Sequence, residues 1–380
     1  MSAKLKPLAE QVIVITGASS GIGLATARKA AKAGAAVVLA SRNEEALKAI
    51  AEDLNAAGGR AHAVAGDVGD PADVETIARA AIARFGGFDT WINDAGVGLY
   101  GDLEKVPIED HERLFRTNYF GVVNGSLEAV KHMKGRRTGG AIINIGSALS
   151  DVAVPLLGAY SASKHAVKGF TDALRIELAR EKAPISVTLI KPSSISTPFA
   201  DHARNYMDKA PRVPPPVYAP EVVADAILHA AQHPVRHLTI GSGGRQMVLL
   251  GGGAPALADK LFAFAVPKLS KRKGEKPVRD NLYEAGVDGR SRTDAYGGRR
   301  FSLYTRAQQH PGLVLGVGAL ALLATAAYLG RGPIARNARP LAARVTRPVV
   351  ARAALRRPLT TAKLAVRHPR KALRLAGALR

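Results

Sequence analysis

The 380-residue chain predicts an α/β fold, a doubly wound parallel sheet of about seven strands, followed by a C-terminal helical and basic extension. Three observations carry that prediction. Short β-rich runs alternate with helical stretches over residues 8–245, the pattern of a parallel sheet with helices on both faces. The first strand run, Val12-Ile13-Val14-Ile15, is continuously apolar rather than alternating, as expected where a strand is covered on both sides. A glycine-rich turn joins the first run to the first helix.

Taken in order, residues 12–15 (Val-Ile-Val-Ile) form the first predicted strand. The helix after the turn runs through Ala33 and is ended by Gly34. A second strand is predicted over 37–40, a helix over 44–57, a third strand over 61–65, and a helix over 71–85 that opens at Pro71. A fourth strand over 88–92 precedes a long helical region over 107–133. The fifth strand, 141–145, leads to a helix over 158–182, the sixth, 185–190, to a helix over 220–232, and the seventh is 237–240. From Gly251 the alternation dissolves: 255–266 can form one amphipathic helix, and 270–300, rich in Lys, Arg, Gly and Asp, reads as a linker. The expected organisation is a nucleotide-binding catalytic domain over 1–250, a helix and basic linker over 251–310, an apolar segment over 311–330 and an Arg-rich tail over 331–380.

Composition narrows the function. Cysteine is absent, which excludes disulfides and Cys-based zinc sites. No long apolar run follows Met1, so catalysis is expected to face the cytoplasm. The net charge of +23 is unevenly spread: residues 1–267 contribute only +3, residues 268–310 contribute +6, and residues 331–380 carry 14 Lys or Arg and no acid. The basic character is thus a C-terminal feature.

Thr16-Gly17-Ala18-Ser19-Ser20-Gly21-Ile22-Gly23 links the first strand to the first helix. Its glycines permit a tight turn and close approach of backbone to a pyrophosphate, and the helix N-terminus offers N–H groups to the anion. The second strand ends in Ser41-Arg42-Asn43 with no acid before Glu44. An acid there would bind the ribose 2′-hydroxyl of NAD, whereas Arg42 can grip a 2′-phosphate, so the expected cofactor is NADP (NADPH).

Tyr160-Ser161-Ala162-Ser163-Lys164 opens a predicted helix. Positions i and i+4 share a helical face, so phenol and ammonium can enter one cleft, and a neighbouring ammonium favours the phenolate. Tyr160 can then act as acid and base on a carbonyl–alcohol pair. Ser147, just past the fifth strand, sits at the carboxyl end of the sheet, where it can polarise the substrate oxygen.

With these motifs in their order, including Asp67-Val68, Asn93-Asp94-Ala95-Gly96, Asn118 and the stretch from Pro192 to Thr197, residues 8–245 resemble the short-chain dehydrogenase/reductase (SDR) family. The resemblance implies a Rossmann-type fold, an oxidoreductase, and catalytic roles for Asn118, Ser147, Tyr160 and Lys164. It implies that Tyr160 is the acid/base, that Lys164 lowers its pKa and binds the nicotinamide ribose, and that Asn118 holds a water in a proton relay. It implies cofactor contacts from Gly17, Ser19, Ser20, Gly21, Ile22, Gly23, Arg42, Asp67, Val68, Asn93, Ala95, Gly96, Ile195 and Thr197, and a homo-oligomer. Two departures stand out: Asp94 replaces the family's second Asn, and Pro192-Ser193 replaces its Pro-Gly, where serine tolerates positive φ poorly.

Substrate contacts are expected from Leu99, Tyr100, Phe199, Tyr206, Met207 and Pro214-Pro215-Pro216, all apolar or aromatic, so the expected partner is a hydrophobic carbonyl or alcohol. His229, His233 and His237 are spaced i, i+4, i+8, but Pro234 breaks the helix between them and no metal is expected. Residues 312–330 carry no charge and would span about 28 Å as a helix against a bilayer core of about 30 Å. Residues 311–330 are therefore expected to be a membrane segment, with a packed or oligomerising soluble helix as the alternative reading. The tail lacks aromatics, which favours anionic lipids over nucleic acid. The rival functions are an epimerase or dehydratase on the same scaffold, and a membrane-associated nucleotide-binding regulator without turnover.

Overall fold

A computed structural model describes residues 3–310 apart from 137, 273–278 and 287, together with Gly312. Seven strands, β1 (Val12–Thr16), β2 (Ala36–Ser41), β3 (Arg60–Ala65), β4 (Thr90–Asn93), β5 (Gly140–Ile145), β6 (Ile185–Pro192) and β7 (His237–Ile240), form one parallel sheet. Their order is β7-β6-β5-β4-β1-β2-β3. The chain starts at the centre and winds outward in both directions, so the crevice at the carboxyl ends of β1 and β4 is the topological switch point. Every residue of β5 and β6 is buried, which is why both read as apolar runs.

Helices α1 (Gly21–Lys32), α2 (Glu44–Ala56), α3 (Pro71–Phe85), α4 (Ile108–Phe115), α5 (Gly121–Lys134), α6 (Gly158–Arg180) and α7 (Pro220–Ala230) flank the sheet. Side chains of α1, α2 and α7, among them Leu24, Leu47 and Val223, cover Ile13, Val37 and Leu39 on one face. On the other, Ile77, Met133 and Leu174 cover Val14, Val38 and Trp91. The single helix expected over 107–133 is broken at residues 116–120 by a π-helical turn that carries Asn118. Such turns concentrate at functional sites.

Two differences from the sequence expectation lie beyond β7. Residues 242–253, which lack a clear period, form a helix, α8 (Ser242–Gly253), that continues into α9 (Pro255–Leu269). The described part of 270–300 is not a free linker: it packs onto the domain through hydrogen bonds from Asn281, Gly289 and Arg299, and α10 (Leu303–Gln309) follows it. Its partners are distant side chains and backbone groups, which local periodicity does not register. The segment 311–330 lies outside the described residues except for Gly312, as does the tail 331–380. Among the described residues no helix is long and apolar enough to cross a membrane.

Beneath the crevice a polar network joins the sheet to α5 and α6. Asn93 donates to Asn144 (2.8 Å) and Ser126 (3.0 Å), and Asn144 donates to the Thr171 hydroxyl (3.0 Å). Trp91 donates to the Asn93 carbonyl oxygen at 2.8 Å. Asn144→Leu strands these buried groups at about 1–3 kcal/mol each, so urea unfolding should show a loss in that range; a loss below about 0.5 kcal/mol would mean that the network is energetically idle.

Candidate active site

A cavity of about 570 Å³ runs along the carboxyl edge of the sheet. Its polar end is built from the turn after β1. Gly17 has φ +70°, and a Cβ there would lie 2.8 Å from the Ala95 backbone. At Gly23 a Cβ would fall 2.2 Å from the Gly17 carbonyl oxygen. Glycine is therefore required at both positions, one for the turn and one for the contact of helix with strand. Gly21 N–H donates to the Arg290 carbonyl (3.0 Å) and Gly23 N–H to the Asp94 carboxylate. Ile22 N–H has no hydrogen-bond partner among the described residues, and Ile22 lines the cavity. An unsatisfied amide at a helix N-terminus is suited to a phosphate oxygen.

Arg42 and Asp67 close this end. The Arg42 guanidinium donates to the carbonyls of Asn281, Leu282 and Tyr283. Asp67 pairs with Arg113 at 2.6 Å and accepts from Gly69 N–H at 2.9 Å. Those two interactions and the Arg42 charge outweigh burial and hold its carboxyl below the ordinary range.

At the other end α6 begins against β5. Lys164 is buried and its ammonium donates to the Ile145 carbonyl at 2.9 Å. It stands 5.6 Å from the centre of the Tyr160 ring, whose other side packs edge-on against Phe199. Ser147 accepts from Leu149 N–H (3.1 Å), which fixes its side chain at the start of a 3-10 turn. Asn118 grips Val97, accepting from its N–H (2.8 Å) and donating to its carbonyl (3.0 Å), and also donates to Ser163 (3.2 Å).

Burial dominates the titration of these groups. It pushes the Tyr160 phenol up to about 12, against the Ser147 side chain, with the Asp94 charge adding to the rise. It pulls Lys164 down to about 8 against the attraction of Asp94. It pushes Asp94 up to about 7 against Lys164 and the Gly23 amide. In this structure, then, the ammonium does not bring the phenol down as the i, i+4 spacing suggested, because desolvation is the larger effect.

Most residues singled out from sequence line the one cavity: Gly17, Ser19, Ser20, Gly21 and Ile22; Arg42, Asp67 and Val68; Ala95 and Gly96; Ser147, Tyr160 and Lys164; Ile195 and Thr197. Gly23, Asn93 and Asn118 do not line it; the first shapes the turn, and the side chains of the other two are spent on buried hydrogen bonds. Ser193 is not at positive φ, since Leu156 and Lys182 are the only such non-glycine residues among those described, so its loop carries no strain from replacing glycine. Of the expected substrate contacts, Tyr100, Phe199 and Pro214–216 line the cavity. Leu99 is buried in the core, Tyr206 donates to Asp110 (2.6 Å), and Met207 packs beside the cavity in an apolar cluster. The His229 and His233 rings stack at 4.4 Å while His237 stands on β7, and no metal-competent cluster occurs among the described residues. Sequence reasoning missed Arg113, the apolar wall from α8 and α9, and the segment 281–290. Of these, α9 alone left a periodic signal.

Asp94 has a folded pKa above its unfolded one, so its contribution is intact below about pH 4 and is lost as pH rises through about 7. Asp94→Asn removes that dependence. In thermal melts the stability gained by the variant should widen between about pH 5 and 7 and level off above; a gap constant with pH would refute a buried, titrating carboxyl.

The short chain dehydrogenase family matches residues 11–208. The chain is 46% identical over 312 residues to an uncharacterized oxidoreductase, YxnA, of Bacillus subtilis (strain 168), covering 81% of this chain and 88% of that one. A short chain dehydrogenase/reductase from Burkholderia phymatum, solved in complex with NAD, is 28% identical with a TM-score of 0.61, over 67% of this chain and 96% of that one. An alcohol dehydrogenase from Thermococcus sibiricus, complexed with 5-hydroxy-NADP, is 27% identical with a TM-score of 0.53, over 60% of this chain and 95% of that one. Both solved chains are thus matched almost end to end, while about a third of this chain extends beyond them. By the family match and by the Bacillus relative, the chain belongs to the short-chain dehydrogenase/reductase family of oxidoreductases.

Proposed function

We propose that the protein interconverts an apolar carbonyl compound and its alcohol with NADP(H). The observation that carries this reading is the convergence of Tyr160, Lys164 and Ser147 on the cavity that also holds the glycine-rich turn. The residues present fit a dinucleotide: the Ile22 amide suits a phosphate, Arg42 suits a ribose 2′-phosphate, and Lys164 lies where the cavity narrows toward Tyr160. Bound there, the cofactor supplies or removes a hydride at the carbonyl carbon.

The protein's own groups handle the oxygen. With its pKa near 12, Tyr160 is a protonated phenol at neutral pH and can hand its proton to the carbonyl oxygen as negative charge develops on it. Ser147 hydrogen-bonds the same oxygen. The Lys164 ammonium, tied to Ile145, places a positive charge beside the phenolate left behind. The far half of the cavity is apolar, walled by Leu149, Val154, Leu157, Phe199, Met247 and Phe262, so it excludes water and favours a hydrophobic substrate. The NADP preference rests on Arg42 and on β2 ending without a carboxylate.

Tyr160→Phe should lower turnover by roughly 10²–10⁴-fold with NADPH binding retained; a nucleotide-binding regulator would show neither turnover nor such a loss. Alcohol oxidation needs the phenolate, so its rate should climb with pH toward the phenol's pKa, while carbonyl reduction holds level below about pH 8, where Lys164 begins to lose its charge. Arg42→Ala should raise the NADPH KM about tenfold, one charge-assisted hydrogen bond's worth, and leave the NADH KM nearly unchanged. Equal effects on both cofactors would remove the NADP assignment.

A further inference from the structure

Residues 279–299 lie beyond the 11–208 family match, and their described part crosses the nucleotide end of the crevice. The course begins at Leu282, fully buried among Val97, Leu99, Val106 and Leu114. Around it the strap turns its carbonyls toward two cations. Arg42 donates to Asn281, Leu282 (3.4 Å) and Tyr283 (2.9 Å), and Arg113 Nε donates to Leu282 (2.9 Å). Asn43 donates to the Gly286 carbonyl at 3.1 Å. The strap then bridges the glycine-rich turn by two backbone hydrogen bonds, Gly289 N–H to Ser19 carbonyl (2.9 Å) and Gly21 N–H to Arg290 carbonyl (3.0 Å). Past the turn it is anchored by the fork of Arg292 onto Glu221 (3.1 and 2.7 Å), by Thr293 donating to Asp201 (2.8 Å), and by Arg299 pairing with the backbone at Val217 and Ala219.

The strap does not fill the crevice. Asn281, Ala285, Gly286 and Asp288 line the same cavity as Ser19 and Arg42, so open volume remains beneath it. The bonds it makes also leave nucleotide-binding groups unspent. Ile22 N–H has no partner among the described residues. Arg42 spends Nη1 and Nη2 on the strap carbonyls, while its Nε–H makes no hydrogen bond among the described residues.

We infer that residues 281–286 and 288–290 form a clasp over the adenosine–diphosphate half of the dinucleotide, built by this chain onto the family fold, so that cofactor enters and leaves only when the Ser19–Gly21 bridge to Gly289–Arg290 and the Arg42 contacts open. The inference rests on the dinucleotide reading of this cavity. Cofactor release is then slow and separate from substrate exchange, which takes place at the apolar end.

The test uses the full chain. Limited trypsin digestion, read by mass spectrometry at the exposed Arg290, should slow at least tenfold with saturating NADPH. Adenosine 2′,5′-bisphosphate, which carries only the covered half, should protect equally, and nicotinamide mononucleotide should not. In stopped-flow displacement of NADPH, Leu282→Asp and Gly289→Pro should each raise the dissociation rate constant tenfold or more. The Gly289 variant removes one bridging N–H, drives φ away from its +97°, and touches no core. Unprotected cleavage together with unchanged release rates overturns the clasp while leaving the enzyme reading intact. Variants that bind faster and release at the wild-type rate would show an obstruction instead, and overturn it too. Failure of any nicotinamide dinucleotide to bind would sink both readings at once.

Discussion

The site hangs on one buried cation. Lys164 sits in low dielectric against the last carbonyl of β5, with Asp94 as its charged neighbour. Burying an ammonium is costly unless its hydrogen bonds are met, and here the sheet meets one of them at 2.9 Å. That bond fixes the first turn of α6 at the carboxyl edge of the sheet, and Tyr160, four residues earlier, then has one direction to face. The Asn93–Asn144–Thr171 network works to the same end one layer down, tying β4 and β5 to the middle of α6. The catalytic geometry is thus a property of how one helix is pinned to one strand end, and the loops above it adapt.

Asp94 alters the electrostatics of that arrangement. An amide at this position would be neutral at every pH; the carboxyl titrates near 7, beside Lys164 and within electrical reach of Tyr160. When ionised it supports the ammonium and opposes the phenolate. The pair therefore favours a phenol that holds its proton at neutral pH, which is the form the proposed carbonyl reduction calls for.

Much of this was legible in the sequence, for physical reasons. The first strand was marked by a continuous apolar run because the centre of the sheet is covered on both faces, and the i, i+4 pair of Tyr160 and Lys164 needed only helical geometry to share a cleft. The π-helical turn at 116–120 was not legible, since the apolar pattern on either side of it continues. Helix α8 was missed because Ser242-Gly243-Gly244 and three terminal glycines argue locally against a helix that packing nevertheless holds. Ser193 misled in the other direction: a substitution for glycine suggested strain, and the backbone adopts no left-handed conformation there. The strap was least legible. Its contacts with Arg42 and the glycine-rich turn are made by backbone carbonyls and amides, which every residue possesses, and its side-chain anchors, Leu282, Arg292 and Thr293, lie to either side of them.

The chemistry of those carbonyls explains why a strap can cover a cationic site without disabling it. A carboxylate placed on Arg42 would hold the guanidinium equally well and would also cancel its charge. Three carbonyl dipoles orient it and leave the net positive charge in place. Asp67 and Asp288 are close enough to be felt, but Asp67 is spent on Arg113 and neither forms an ion pair with Arg42. Arg113 in turn repels Arg42, and with Asp67 and Asp288 the charges around the guanidinium balance two against two, while its own hydrogen bonds go to neutral carbonyls. An anionic group entering beneath the strap meets a guanidinium already desolvated and already aimed, and binding it requires no further ordering of the side chain.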